Sequence, residues 1–570
     1  MNNAITAALG KEPADLLIRN ARIVNVFTSE IHSGDVAVAG DRFLGFGSYE
    51  AWQTVDADGM YLCPAFIEGH IHIESTLLSP VEFARVVAGR GTGTVVCDPH
   101  EIANVLGQEG IRYFLDCSRG LPVDISIMLP SCVPATHLET SGAELTGDDL
   151  TELLLSEPDR ILGLGEMMNV PGVLGGDAEV WKKLRLFQHR VIDGHCPGVS
   201  GKALNAYILS GPSSDHESAE LAEAREKLRK GMHLMIRQGS SEKNLIDLLP
   251  LIHAGSASNI SLVTDDRHAD DLLHQGHLDY TVRLAISSGL DPLLAIRTVT
   301  LSTARYFGLK DRGAIAPGYR ADFLLLKDLE SVAIHEVYLA GRRLDDTDFP
   351  ASRTPPIQTS LHLPELTEEL LRLEDPRDRP DRFVKAIEIV PGQIITRAVA
   401  VQPPAEDGVL QADPQQDLAK LAVVERHRSS GRVGLGLVRG LGLASGALAS
   451  SVAHDSHNCI VAGTNDRDML LALRTLKEHG GGLAVVSDQL VLASVALPLA
   501  GLMSFEPIEG VVAGLHRLRQ AATDLGCPEK LNVFMVLSFL ALPVIPELRL
   551  TDLGLVDVER FQVTGLLWTE

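Results

Sequence analysis

In the segment PAFIEGHIHIEST, His70, His72 and Glu74 stand at positions i, i+2 and i+4. Side chains along a strand alternate between faces, so all three project to one side if the strand persists that far. Two imidazoles one pleat apart can hold a single divalent ion, because neutral imidazole is the commonest protein ligand for such metals. Further on, VVCDPHEIANV places Asp98, His100 and Glu101 directly after an apolar run. A helix start with Asp98 as N-cap and Pro99 at the first helical position accounts for that spacing, but not for a third histidine. Glu166 ends the run ILGLGEMM, where a carboxylate is costly to bury unless paired or metal-bound, and there it can bridge two ions. His195 in VIDGHCPG, His216 in SSDHES, and Asp265 and Asp266 in SLVTDDRH fall where later strands should end; Asp266 also suits a helix cap. Four histidines, a glutamate and an aspartate are more than one tetrahedral ion needs, which points to a two-metal site holding a bridging hydroxide. Mixed nitrogen and oxygen ligands without thiolate favour Mn, Fe or Zn.

These residues sit at the ends of short apolar runs, each followed by a longer segment of helical periodicity. Strands alternate with helices in this way between Leu62 and about Thr303, roughly 240 residues, which predicts an α/β fold with an eight-fold parallel (β/α)8 barrel whose C-terminal strand ends build the active site. Before it, Asp15 to Phe46 reads as short strands at hairpin spacing, and after it GAIAPGYRADFLLL and VAIHEVYLAGRRL return to the same texture. The expected organisation is a composite β-domain from residues 14–63 and 305–345, a barrel over 64–304, a linker over 346–381 and a C-terminal α/β domain over 382–570. Pro350, Pro355, Pro356, Pro364, Pro376 and Pro380 mark the linker.

Composition excludes several classes. The 570 residues carry 75 acidic against 50 basic side chains, a net charge of −25, and 45% are apolar, so the chain can bury a large core. Nucleic acid and anionic membrane are poor partners for such an acidic surface. The one tight basic cluster, Arg426, His427, Arg428 and Arg432, reads as a solvated loop. The N-terminus lacks the pattern of a secretory signal, and the most apolar window, Val533 to Ile545, is 13 residues long, below the roughly 20 a bilayer span needs. Seven scattered cysteines without C-x-x-C spacing fit a reducing cytoplasm and supply no cysteine zinc site.

In this order, H-I-H-I-E-S, D-P-H-E-I-A-N-V, S-C-V-P-A, L-G-E-M-M, D-G-H-C-P-G, H-E-S, T-D-D-R-H and H-D-S-H-N resemble the bacterial adenine deaminases of the amidohydrolase superfamily, from about residue 15 to 570. The resemblance implies the metal-dependent hydrolase barrel, a composite β-sandwich domain and an added C-terminal domain. It implies hydrolysis of adenine to hypoxanthine and ammonia in purine salvage, with two divalent ions, Mn or Fe favoured and Zn admissible. It implies His70, His72, Glu166, His195 and Asp265 as ligands, Glu166 replacing the carbamylated lysine of many relatives, and roles near the substrate for Asp98, Glu101 and His216. The expected chemistry is attack of hydroxide on C6 while a carboxyl group protonates N1. Asp265 would take the hydroxide proton and pass it to the leaving amine. Glu101, with Asp98 and Glu74, would serve the ring side, and His216 would ligate metal or stabilise the attacking oxygen. Asp266, and His454, Asp455 and His457 from SSVAHDSHN, would contact the purine, the latter three from a C-terminal wall over the barrel mouth. A homo-oligomer, in the simplest case a dimer, is the expected assembly.

Two other enzyme classes compete. Dihydroorotases and hydantoinases usually carry a bridging lysine where Glu166 stands here. The zinc deaminases require H-x-E with P-C-x-x-C; His72-Ile-Glu74 matches the first half, but the chain has no C-x-x-C. A non-catalytic metal-binding scaffold is the remaining alternative.

Overall fold

The computed structural model describes residues 2–351, 360–376 and 382–568. Five parallel strands, Phe66–Ile71, Thr92–Cys97, Asp124–Leu129, Ile161–Met167 and Val191–Gly194, pair in sequence order. Three more, Ser214–Asp215, His233–Arg237 and Ile260–Val263, form a second parallel ribbon. At one seam the Ser213 amide donates to the Ile192 carbonyl at 2.9 Å, and at the other the Asp265 amide donates to the His70 carbonyl at 2.9 Å. Eight strands thereby close into a barrel of the (β/α)8 type with helices outside. Runs such as TGTVVC and ISLV are buried along their whole length, as strands covered on both faces must be.

On one flank of the barrel, Tyr61–Pro64, which leads into it, pairs antiparallel with Phe323–Leu326, which leaves it. That pairing joins strands from before and after the barrel into one eight-stranded sheet. The C-terminal region builds another eight-stranded sheet around Leu418–Val424 and Cys459–Gly463, packed by the helices Asp466–His479 and Ile508–Asp524. Asn465 caps the first of these helices through the Asp468 amide, and Gly480 ends it in the left-handed region at φ 72°.

Two local readings change. Within the stretch read as a linker, Leu361, Leu363, Leu366 and Leu371 are buried against Ala422, Met469 and Leu473. Prolines there do not forbid burial, nor the short 3-10 turn Glu368–Leu371, so the described part of this stretch is an outer layer of the C-terminal core. The basic cluster is not a uniformly solvated loop either: Arg428 and Arg432 are exposed, but Arg426 is fully buried, with its guanidinium on the Ala500 carbonyl at 3.0 Å.

The C-terminal domain docks on the barrel mouth by backbone pairing. The Ser79 amide donates to the Ser504 carbonyl at 3.1 Å and the Ser504 amide to the Leu77 carbonyl at 2.8 Å. Arg519 and His516 both reach Asp270, at 2.6 and 2.9 Å. Among the described residues no helix is long and apolar enough to cross a membrane; Val533–Phe539 is a short helix that buries Val533, Phe534 and Leu537.

Candidate active site

The first strand ends at Ile71, with His70 on it and His72 just beyond, and the chain then turns into a 3-10 helix, Ile73–Thr76. The expected one-sided row of three therefore breaks after His72. Glu74 swings to accept the Ile102 amide at 3.0 Å, and burial, with Glu101 nearby, pushes it up to about 7. Asp98 departs from the helix-cap reading too. The helix begins at His100 with no side-chain cap, and Asp98 Oδ2 instead accepts the Glu166 amide at 3.1 Å. A side chain at Gly165 would place its Cβ 2.0 Å from that oxygen, which explains the glycine before Glu166.

Glu166 divides the imidazoles between its two oxygens. Oε1 faces His72 Nε2 and His100 Nδ1, each at 3.3 Å; Oε2 faces His195 Nδ1 at 2.6 Å and His216 Nε2 at 3.2 Å. Asp265 Oδ1 stands 3.3 Å from His72 Nε2 and 3.6 Å from His70 Nε2. His70, His72 and Asp265 make one close group of donors, and His70, Glu166 and His216 another, all buried.

Two observations show that these donors fit divalent ions. His72 Nδ1 donates to the Asp98 carbonyl at 2.9 Å, which fixes the proton there and leaves the Nε2 lone pair turned to Glu166 and Asp265. His70 Nε2 is buried without a hydrogen-bond partner among the described residues, and burial pushes that ring down to about 4, keeping it neutral.

Asp265 is gripped from behind. Arg237 donates to its Oδ2 at 2.8 Å and through its other terminal nitrogen to Glu217 Oε2 at 2.8 Å. Burial alone would raise the Asp265 carboxyl, but His70, His72 and Arg237 outweigh it and hold the group well below the usual range.

Glu101 faces the C-terminal domain. His454 Nδ1 lies 2.7 Å from Oε1, His457 Nε2 makes a close hydrogen bond to Oε2, and His100 Nε2 stands 3.3 Å from Oε1. Burial raises Glu101, but these three imidazoles outweigh burial and hold it well below the carboxylate range.

Between the barrel mouth and this domain lies a cavity of about 270 Å³, lined among others by Ser75, Asp266, His268, His454 and Phe539. The His454 ring stacks on Phe539 with centroids 5.1 Å apart. Asp266 serves no helix cap; it accepts a close hydrogen bond from Ser75, and His268 occupies the cap position. Of the four residues expected on the purine, Asp266 and His454 line the cavity. Asp455 and His457 are buried and lie off its wall, His457 being turned onto Glu101.

Sequence reasoning did not assign His100, Glu217 or Arg237 to the site. His100 was visible as an unexplained histidine, and Arg237 carried the signal of a charge ending an apolar strand. Glu68 was also missed: fully buried beneath the cluster, it accepts the His70 and Thr264 amides, and burial pushes it up to about 8.

Two family models match the chain. Residues 61–344 match the family model described as "Amidohydrolase family", and residues 393–562 match "Adenine deaminase C-terminal domain". The chain is 50% identical over 570 residues to the adenine deaminase of Oleidesulfovibrio alaskensis, covering 100% of this chain and 99% of that protein. It is 47% identical over 568 residues to adenine deaminase 2 of Carboxydothermus hydrogenoformans, covering 99% of each. A solved structure described as an adenine deaminase aligns with 58% of this chain and 100% of its own, at 16% identity and a TM-score of 0.44.

Proposed function

The chain belongs to the adenine deaminases of the amidohydrolase family, and from that premise we propose how its residues divide the work of turning adenine and water into hypoxanthine and ammonia. It is a hydrolase acting on adenine. Two divalent ions, Mn or Fe before Zn, would be held by His70, His72 and Asp265 on one side and His195 and His216 on the other, with Glu166 between them. Bound there, they would supply Lewis acidity and lower the pKa of water toward neutrality. The observation that carries this reading is the split of the imidazoles between the two oxygens of Glu166.

The reaction places a hydroxyl on C6, one proton on N1 and one on the departing amine. Asp265 is suited to the amine side. His70, His72 and Arg237 keep it ionised. Arg237 occupies Oδ2, so Oδ1, which is turned to the ligand cluster, is the oxygen placed to take a proton from the attacking water and hand it to the amine. Glu101 governs the ring side. Asp98 and Glu74 support this geometry through the backbone amides they accept, rather than by touching the base. Adenine would occupy the cavity between Asp266 and the His454–Phe539 stack. Seven free, buried cysteines suit a reducing compartment, and a dimeric, cytoplasmic enzyme of purine salvage completes the reading.

The test is ammonia release from adenine, guanine and dihydroorotate by Mn-, Fe- and Zn-loaded protein. Release from adenine is expected. No release from adenine with any metal sinks the proposal, and turnover of dihydroorotate alone would favour a cyclic amidohydrolase. Glu101→Gln should cut turnover far more than metal content, and full activity would remove Glu101 from the mechanism.

A further inference from the structure

The second cluster of ligating groups lies where the two domains meet. Glu101, His454 and His457 bring their oxygen and nitrogen atoms within 4.8 Å of one another, a spacing that would suit a third metal ion. The backbone behind His457 decides against it. The Ala453 amide donates to His457 Nδ1 at 3.1 Å, so that nitrogen carries a lone pair and the proton of the neutral ring sits on Nε2. Nε2 therefore meets Glu101 as a donor and has no lone pair for a metal. Protonating both nitrogens would set one N–H against another, so His457 stays neutral; burial, which pushes it down to about 4, acts in the same direction.

His454 is placed differently. Its Nδ1 is on Glu101 Oε1, its ring lines the cavity, its side chain is 13% exposed, and its Nε2 makes no hydrogen bond to any described residue. A carboxylate behind Nδ1 with Nε2 open to a substrate pocket is the arrangement that orients an imidazole for proton transfer.

Resting on the adenine deaminase reading above, we propose that His454 of the C-terminal domain is the ring-side acid. Glu101 and His457 are positioning residues: the carboxylate holds the imidazolium, and the neutral histidine holds the carboxylate. In the step, the His454 Nε2–H bond breaks and an N–H bond forms at N1 of adenine as the hydroxyl adds to C6. His454 is left neutral with its remaining proton on Nδ1 against Glu101. Nε2 regains a proton from cavity water, which replaces the proton released when the next attacking water ionises, so no net proton is consumed.

The charged groups around His454 fit this role. Glu101, Asp266 and Asp455 favour its cation, whereas burial, His457 and His268 oppose it, and the balance places it at about 9. Asp270, Asp271 and Arg519 line the same cavity. A raised pKa means that the acid form is present below that value and is lost above it.

The experiment compares His454→Ala and His454→Gln with the metal-loaded wild-type enzyme in kcat and kcat/KM against pH, in metal content, and in rescue by added imidazole. Gln keeps the volume and an N–H for Glu101 but carries no titrating proton. Both variants should retain wild-type metal content and lose about 10²- to 10⁴-fold in kcat. The fall of kcat/KM above pH about 9 should disappear. Imidazole should restore part of the activity of the Ala variant and none of the Gln variant. Either variant keeping half of wild-type kcat, or an unchanged alkaline limb, overturns the proposal, as does a third ion per subunit that is lost in His457→Ala. Inactivity of the wild-type enzyme on adenine would instead be a failure of the functional reading itself.

Discussion

The barrel mouth and the C-terminal wall each present buried imidazoles to a buried glutamate, and the backbone gives them opposite tasks. Behind His72 stands a carbonyl, that of Asp98, which takes the ring proton on Nδ1 and frees Nε2 as a ligand. Behind His457 stands an amide, that of Ala453, which claims the Nδ1 lone pair and forces the proton onto Nε2. Side-chain types are alike on the two sides. The group behind each ring decides whether a histidine binds a cation or donates a hydrogen bond.

The largest effect should come from removing the glutamate that serves the metal side. Glu166→Ala leaves His72, His195 and His216 without a shared partner. Metal content and adenine turnover should fall together, by more than the roughly 10- to 100-fold that loss of an outer partner costs. Metal analysis and ammonia release measure both, and an active, metal-replete variant would break the comparison at its first term.

Arg237→Met should come next. It strands Asp265 and Glu217, both partnered by the buried guanidinium, and breaking a buried charge pair typically costs about 3–5 kcal/mol. Thermal unfolding of the metal-free protein should reveal that loss, and metal affinity should drop by about 10- to 100-fold. His457→Ala takes one donor from Glu101, a hydrogen bond to a charged group worth about 1.5–3 kcal/mol. Turnover should fall with bound metal unchanged, which separates the C-terminal wall from the barrel site. Arg519→Ala should matter least. Its pair with Asp270 is 40% exposed on the arginine side, and such surface pairs contribute about 0–1 kcal/mol. An unfolding shift larger than that would show that the docked domain depends on this contact.

How far the sequence revealed the site follows the same divide. The barrel residues could be found because short, continuous apolar runs ending in His, Glu or Asp are a local signal, and parallel closure brings successive strand ends to one rim. Glu74 escaped that logic because the strand stops at Ile71 and the backbone turns helical, so spacing no longer sets direction. The cap reading that the spacing also allows for Asp98 gives way to a partner the spacing cannot show, the Glu166 amide 68 positions away. The pairing of Glu101 with His454 spans 353 positions, so the expectation of a wall over the barrel mouth from HDSHN carries no sign of which barrel residue that wall meets. Arg426 misled for the opposite reason: a run of cations suggests solvent, yet one of them is fully buried. The leucines of the presumed linker were hidden by its prolines, which report on helix formation rather than on burial.

The most direct test is the metal content per subunit of wild-type, His72→Ala and His457→Ala proteins loaded with Mn under identical conditions. The opposed settings of the two histidines predict two ions in the wild type, a loss in His72→Ala and no change in His457→Ala. An ion lost with His457, or full occupancy without His72, would contradict the assignment of ligand and donor to the two sides of the mouth.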